Sequence, residues 1–221
     1  MIDWESVRSV FLDMDGTLLD LHYDNHFWLS HVPQKYAEKH GIELERARGE
    51  LAARYQKVAG TMQWYSVDYW SRELELDIAR LKEEVRHLIA VHPHVAEFLT
   101  AVRAAGKRVA LVTNAHHKSL SLKLRHTGLG EYFDTVICAH DLTVPKEDPG
   151  FWDRLQGVES FDPAATLLVD DSLPVLRSAR NYGIAHLLAV YRPDSRQPVK
   201  DVAEFEAIHS FAGVMPPPPR R

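Results

Sequence analysis

The stretch Val10-Phe11-Leu12-Asp13-Met14-Asp15-Gly16-Thr17 sets an apolar run against two carboxylates and a turn. Residues alternate faces along an extended strand, so Asp13 and Asp15 face the same way, and Gly16 supplies the backbone freedom to leave the strand sharply. Two carboxylates in one small volume repel unless a cation lies between them or one is protonated. Either outcome serves chemistry on a phosphate ester. At average residue frequencies a D-x-D-G-T string arises by chance in a chain of this length with a probability on the order of one in a thousand. An acidic β-turn is therefore the weaker reading.

Outward from this stretch the chain alternates strands with helices. Val7 to Leu12 reads as a buried strand, and Arg108-Val112, Thr135-Ala139, Thr166-Val169 and His186-Val190 share its character. Between them, His94 to Ala105, Ser119 to His126 and Leu173 to Tyr182 show helical spacing of apolar residues, and each run stops at a glycine, Gly106, Gly128 or Gly183. This pattern predicts an α/β fold with a parallel sheet covered by helices on both faces, and ligands in such sheets bind beyond the carboxyl ends of the strands. Asp13 and Asp15 sit at such an end.

Residues from about 21 to 90 break the alternation. They are rich in Trp, Tyr, Glu, Arg and Leu, and they predict an inserted helical domain with helices over Phe27-His40, Leu44-Val58, Ser66-Glu75 and Ile78-His87. The expected division is a discontinuous core of residues 1–20 and 91–212, the helical insert 21–90, and a disordered proline-rich tail 213–221.

Composition narrows the class. The fractions of hydrophobic (45%) and charged (26%) residues are ordinary for a globular enzyme of 221 residues, and no apolar segment reaches bilayer length. The acidic start, Met1-Ile2-Asp3-Trp4-Glu5, lacks the pattern of a secretory signal, so a cytoplasmic protein without a membrane partner is expected. Cys138 is the single cysteine, which excludes an intrachain disulfide and a cysteine zinc cluster and leaves oxygen or imidazole ligands for any metal. A net charge of −5 argues against a surface for nucleic-acid polymers.

Three further strand ends carry polar residues. Thr113-Asn114 follows Leu111-Val112 and opens a helix, an arrangement that suits either an anion cradle or a simple cap. Lys146 lies between Pro145 and Glu147-Asp148-Pro149, where the prolines restrict the backbone and can aim the ammonium inward. Asp170-Asp171-Ser172 ends the run Leu167-Leu168-Val169 and can complete a cation site.

D-x-D-G-T, T-N, P-K and D-D-S, in that order on successive strand ends, resemble the haloacid dehalogenase superfamily of phosphohydrolases over nearly the whole chain. The resemblance implies a Rossmann-like three-layer core with strand order 5-4-1-2-3 and a helical cap of the type inserted after the first strand. It implies Asp13 as nucleophile and Asp15 as acid/base, with Thr113, Asn114 and Lys146 on the phosphate. Mg²⁺ would be held by Asp13, the backbone carbonyl of Asp15, and Asp171 or Asp170, with Asp171 favoured. Dehalogenases of this superfamily lack an acid at the position of Asp15, whereas mutases of the phosphoglucomutase kind keep it. A phosphosugar phosphatase or mutase and a catalytically silent binding protein stay open as alternatives.

Substrate choice falls to the insert. Trp28, Trp64, Tyr65, Tyr69 and Trp70 can stack on a purine or form the insert's own core, and Asp24 or Asn25 can hydrogen-bond a base or ribose. The segments L-L-D-L-x-Y-D-N-x-F-W, W-Y-x-x-D-Y-W and T-N-A-H look like the GMP/IMP nucleotidase branch, with Val144 standing where an aromatic is expected. That likeness implies a purine nucleoside monophosphate as substrate, acted on by a monomer or a dimer. His116 and His117 lie just after the Thr113-Asn114 loop and can contact the leaving group, although solvated residues at a helix start are the favoured reading.

Overall fold

A computed structural model describes residues 2–218. Six strands, β1 (Ser9–Leu12), β2 (Arg108–Thr113), β3 (Thr135–Cys138), β4 (Thr166–Val169), β5 (His186–Val190) and β6 (Ala207–Ile208), form one sheet in the order β3-β2-β1-β4-β5-β6. Every neighbouring pair is parallel. The expected five-strand order is thus present, extended at one edge by β6. Strand order reverses at β1, which places the end of that strand at the topological switch point.

Period-two alternation sorts the side chains into two cores. Val10, Leu12, Leu111 and Val169 face the cluster containing Phe98, Leu99 and Val102 of α7 (Val95–Ala104). Phe11, Ala110, Val112 and Leu168 face Phe151, Trp152 and Leu155 of α10 (Phe151–Val158) and Val175, Leu176 and Ala179 of α11 (Leu173–Tyr182). Strands buried on both faces need no polar positions, which is why their sequences are nearly continuous apolar runs. β1 starts at Ser9 rather than Val7, because the Val7 carbonyl accepts from Lys107 Nζ at 2.7 Å instead of from the ladder.

The insert is helical as expected: α1 (His22–His26), α2 (Val32–His40), α3 (Leu44–Val58), α4 (Met62–Tyr65), α5 (Val67–Leu74) and α6 (Ile78–Glu84). The helix expected over Phe27–His40 begins earlier, at His22, and passes through a π-helical turn, Phe27–His31, before Pro33. Proline cannot donate to the carbonyl four residues back, and a widened turn accommodates the lost bond. The last helix, expected to reach His87, ends at Glu84 and is followed by a 3₁₀ turn, Arg86–Leu88. The two crossings between insert and sheet run side by side, with Asp20 N–H donating to Ala90 O and His92 N–H to Leu18 O, each at 2.9 Å.

The remaining helices are α8 (His117–Thr127) and α9 (Ala139–Leu142). Among the described residues no helix is long and apolar enough to cross a membrane. The expectation of a disordered tail fails for its described part, since Val214 and Met215 pack on the core and Pro216 is buried. Pro219, Arg220 and Arg221 lie outside the described residues.

Candidate active site

Asp13 follows β1 and continues its register, its N–H donating to Val169 O at 3.0 Å. Gly16 then turns the chain with φ +87°, a conformation that side-chain-bearing residues rarely adopt. A Cβ at Gly16 would stand 2.8 Å from Asp171 Cγ, so the turn packs directly under the second pair of acids.

Lys146 is buried beneath this group. Its Nζ lies 2.5 Å from Asp13 Oδ1, 2.6 Å from Asp170 Oδ2 and 3.0 Å from Val112 O, which uses all three ammonium protons. Burial alone would lower its pKa, but Asp13 and Asp170 hold it above the ordinary lysine value. The second oxygen of Asp170 accepts from Ser172 N–H at 2.9 Å, so each of its oxygens already has one partner. Asp171 is less constrained, with Lys200 Nζ 3.7 Å from its Oδ2.

The acids crowd one another. Burial, with Asp170 and Asp13 nearby, pushes Asp171 up to about 8, and burial raises Asp13 to about 6 against the pull of Lys146. Oxygens of Asp13, Asp170 and Asp171 all lie within 4.8 Å of one another. An all-oxygen set of this kind, over a turn with no Cβ, fits a hard divalent cation such as Mg²⁺ and would be relieved of repulsion by one.

Asp13, Asp15, Thr113, Asn114, Lys146, Asp170 and Asp171 line one cavity of about 360 Å³, together with Asp24, Asn25, Trp28, Tyr55, Trp64 and Tyr65 of the insert. The residues expected at the site are therefore brought together. Several have duties different from those expected. Asn114 clamps the lysine loop, its Oδ1 accepting from Lys146 N–H and its Nδ2 donating to Glu147 Oε2, each at 2.9 Å. Both ends of its amide thus serve to fix this loop while the residue lines the cavity. Thr113 Oγ1 accepts from Ala115 N–H at 3.0 Å and remains in the cavity wall.

The insert residues need larger corrections. Both oxygens of Asp24 are taken by buried cations, Oδ1 by Lys82 at 3.0 Å and Oδ2 by Lys123 at 2.6 Å, so it is not free to read a base. Against the burial that would raise it, those two ammoniums hold Asp24 at about 2. Asn25 donates through Nδ2 to Asp194 Oδ2 at 2.7 Å and so ties the insert to the loop after β5. Trp70 is fully buried insert core, whereas Trp28, Tyr55 and Trp64 wall the cavity. His116 is not solvated: it is largely buried, lines the cavity, and has its Nε2 3.6 Å from Asp68 Oδ2.

Lys123 and Lys82 were not anticipated. Lys123 Nζ lies 2.6 Å from Asp15 Oδ1. Its signal was available: in α8 it shares the buried stripe with Ser119 and Leu120, as Lys82 shares the stripe of Ile78 and Leu81 in α6. A lysine on an apolar stripe requires a buried acid as partner. Tyr65, one of the aromatics expected to stack on a purine or to form the insert's core, also donates its hydroxyl to Glu147 Oε1 at 2.8 Å and ties the insert to the lysine loop.

A family model for haloacid dehalogenase-like hydrolases matches residues 7–183. The GMP/IMP nucleotidase YrfG of Escherichia coli is 36% identical over 215 residues, covering 97% of each chain. A phosphoglycolate phosphatase of Nitrosospira multiformis is 29% identical over 208 residues, covering 90% of this chain and 89% of its own. Among solved structures, a HAD phosphatase from Thermococcus onnurineus superposes with a TM-score of 0.77 at 25% identity, covering 94% of this chain and 96% of that one.

Proposed function

We propose that this chain, which belongs to the haloacid dehalogenase-like hydrolase family, is a Mg²⁺-dependent 5′-nucleotidase that cleaves purine nucleoside monophosphates, GMP and IMP first, through an aspartyl-phosphate. That it hydrolyses phosphoric monoesters follows from the family and from its phosphatase relatives. The observation that carries the finer reading is one cavity with Asp13, Lys146 and the acid pair at its floor and Trp28, Tyr55 and Trp64 in its wall.

In this reading Asp13 attacks phosphorus through a carboxylate oxygen and displaces the nucleoside. Asp15 gives its proton to the departing oxygen and then takes one from the water that hydrolyses the phosphorylated Asp13. Bringing a carboxylate against a phosphate dianion requires positive charge, and Lys146 supplies one such charge at the floor. Asp13, the backbone carbonyl of Asp15, and Asp171 would hold Mg²⁺, with Asp170, already bonded to Lys146 and the Ser172 amide, beside them. When bound, that ion supplies charge neutralisation and alignment of the transferring group. Thr113 and the neighbouring amides serve the remaining phosphate oxygens.

For the leaving group, a cavity of about 360 Å³ falls within the ~300–1,000 Å³ typical of small-molecule sites. Its indole and phenol walls suit a flat purine. The name of the E. coli relative supports the same choice. The helical insert acts as the cap that supplies this wall. The deciding test is a panel of GMP, IMP, AMP, phosphoglycolate and sugar phosphates, each with Mg²⁺ and with a chelator. GMP and IMP should give the highest kcat/KM, and only with the metal. Faster turnover of phosphoglycolate or a sugar phosphate would remove the nucleotide assignment, and full activity in the chelator would remove the metal.

A further inference from the structure

Four charges, two buried lysines and two half-buried carboxylates, run in a line from the site into the insert. Lys123 of α8, 1% exposed, contacts Asp15 Oδ1 and Asp24 Oδ2 at 2.6 Å each, and Asp24 Oδ1 lies 3.0 Å from Lys82 Nζ. They come from the turn after β1, from α1, from α6 and from α8. The Tyr23 ring packs under both ammoniums, each 5.1 Å from its centroid.

The set is electroneutral, yet stability explains it poorly. Taking an ion from water costs several kcal/mol, and apolar side chains of similar volume commonly do as well or better in such a place. Its geometry is more telling than its energy. One end of the line grips Asp15 by Oδ1 alone, and among the described residues Asp15 Oδ2 receives no hydrogen bond while the residue lines the cavity. A carboxylate held by one oxygen in a buried, charge-assisted bond has its other oxygen aimed.

We propose that Lys123 is a positioning residue for Asp15, taking Oδ1 so that Oδ2 faces the ester oxygen, and that Asp24, through the same ammonium, makes this aim depend on the insert being seated. The proposal rests on the phosphatase reading above. Lys123 keeps its protons throughout; the proton moves from Asp15 Oδ2 to the ester oxygen as the P–O bond breaks and the Asp13–phosphorus bond forms.

The test compares two esters by kcat/KM, which reports the steps up to departure of the leaving group. One is the best alkyl phosphate of the substrate panel, whose leaving oxygen needs a proton. The other is p-nitrophenyl phosphate, whose leaving group needs none. Lys123→Met should slow both but lower the alkyl-to-aryl ratio by about tenfold or more, since acid help is worth ~10²–10⁴. Lys123→Arg should restore most of the ratio. Asp24→Asn should lower the ratio in the same direction by a smaller factor, and adding it to Lys123→Met should lower it no further. An equal loss on both esters would make Lys123 structural, and multiplying losses would free Asp24 from Lys123. Should Lys123→Met fail to fold by circular dichroism, the ratio in Asp24→Asn decides alone: an unchanged ratio overturns the proposal. A wild-type enzyme inactive on both esters would instead overturn the phosphatase reading beneath it.

Discussion

The Lys146 ammonium stands 2.5 Å from Asp13 Oδ1, with both side chains almost withdrawn from solvent. A lysine on a proline-flanked loop between β3 and β4 thus meets the acid that follows β1, across 133 residues of sequence. With Asp170 at 2.6 Å on its other side, it is the positive charge that two of the three clustered carboxylates share, while Lys200 lies 3.7 Å from the third, Asp171.

Removing that charge should expose the repulsion it masks. Lys146→Met is expected to lower kcat by at least about a hundredfold, as loss of an electrostatic stabiliser does, and to destabilise the fold by roughly 3–5 kcal/mol, as does breaking a buried pair. Because a divalent cation then becomes the main remaining counter-charge, added Mg²⁺ should raise the melting temperature of the variant more than that of the wild type. Differential scanning fluorimetry with and without Mg²⁺ checks this, and equal shifts would contradict the proposed metal position.

Gly16 serves both the turn and the acid pair. Alanine there meets a left-handed backbone at φ +87° and sets its Cβ 2.8 Å from Asp171 Cγ. The strain is worth about 1–3 kcal/mol, and Asp171 must move. Gly16→Ala should therefore weaken the apparent affinity for Mg²⁺, read from the dependence of rate on its concentration, by about tenfold or more. An unaltered Mg²⁺ curve would show that Asp171 holds no metal.

Much of this was readable in the chain because the signals are local. Thr166–Val169, His186–Val190, Leu44–Val58 and Leu173–Tyr182 have the predicted bounds, each being an apolar run or stripe closed by a turn residue or glycine. β6, two residues at the sheet edge, is too short to show a period. The core site was legible for a similar reason, since polar residues on strand ends stand out against apolar strands. The ties of Asp24 and Asn25 were not legible because their partners, Lys82, Lys123 and Asp194, come from 58, 99 and 169 residues away. A polar residue in a helix declares neither its face nor its partner.

The bond from Tyr65 to Glu147 crosses between the insert and the loop that carries Lys146. Burial and the Glu147 charge keep the phenol protonated, so it is the donor. Tyr65→Phe removes one bond to a charged acceptor, worth about 1.5–3 kcal/mol, while leaving the ring in the cavity wall. KM for the best substrate should rise by up to about tenfold with a smaller change in kcat, because the loss falls on seating the insert rather than on Asp13. Steady-state kinetics decide it, and a fall in kcat at constant KM would place Tyr65 with the reacting groups instead.

His140 gives the fold a pH dependence of predictable sign. Burial, with His116 and His117 nearby, lowers its pKa from the ordinary 6.5 to about 4, and its Nε2 is buried without a hydrogen-bond partner among the described residues. As pH falls below 6.5 the unfolded chain takes up a proton there while the folded imidazole stays neutral until about pH 4. This residue therefore favours unfolding progressively across that window, and its contribution to stability is fully present only above it. The raised carboxyls of Asp13, Asp15 and Asp171 act in the opposite sense, so the His140 effect is isolated by difference. Between about pH 7 and pH 4.5 the melting temperature of wild type should fall relative to that of His140→Gln, which keeps the other acids and cannot protonate. Parallel melting curves for the two proteins across that range would show that His140 is solvated and ordinary.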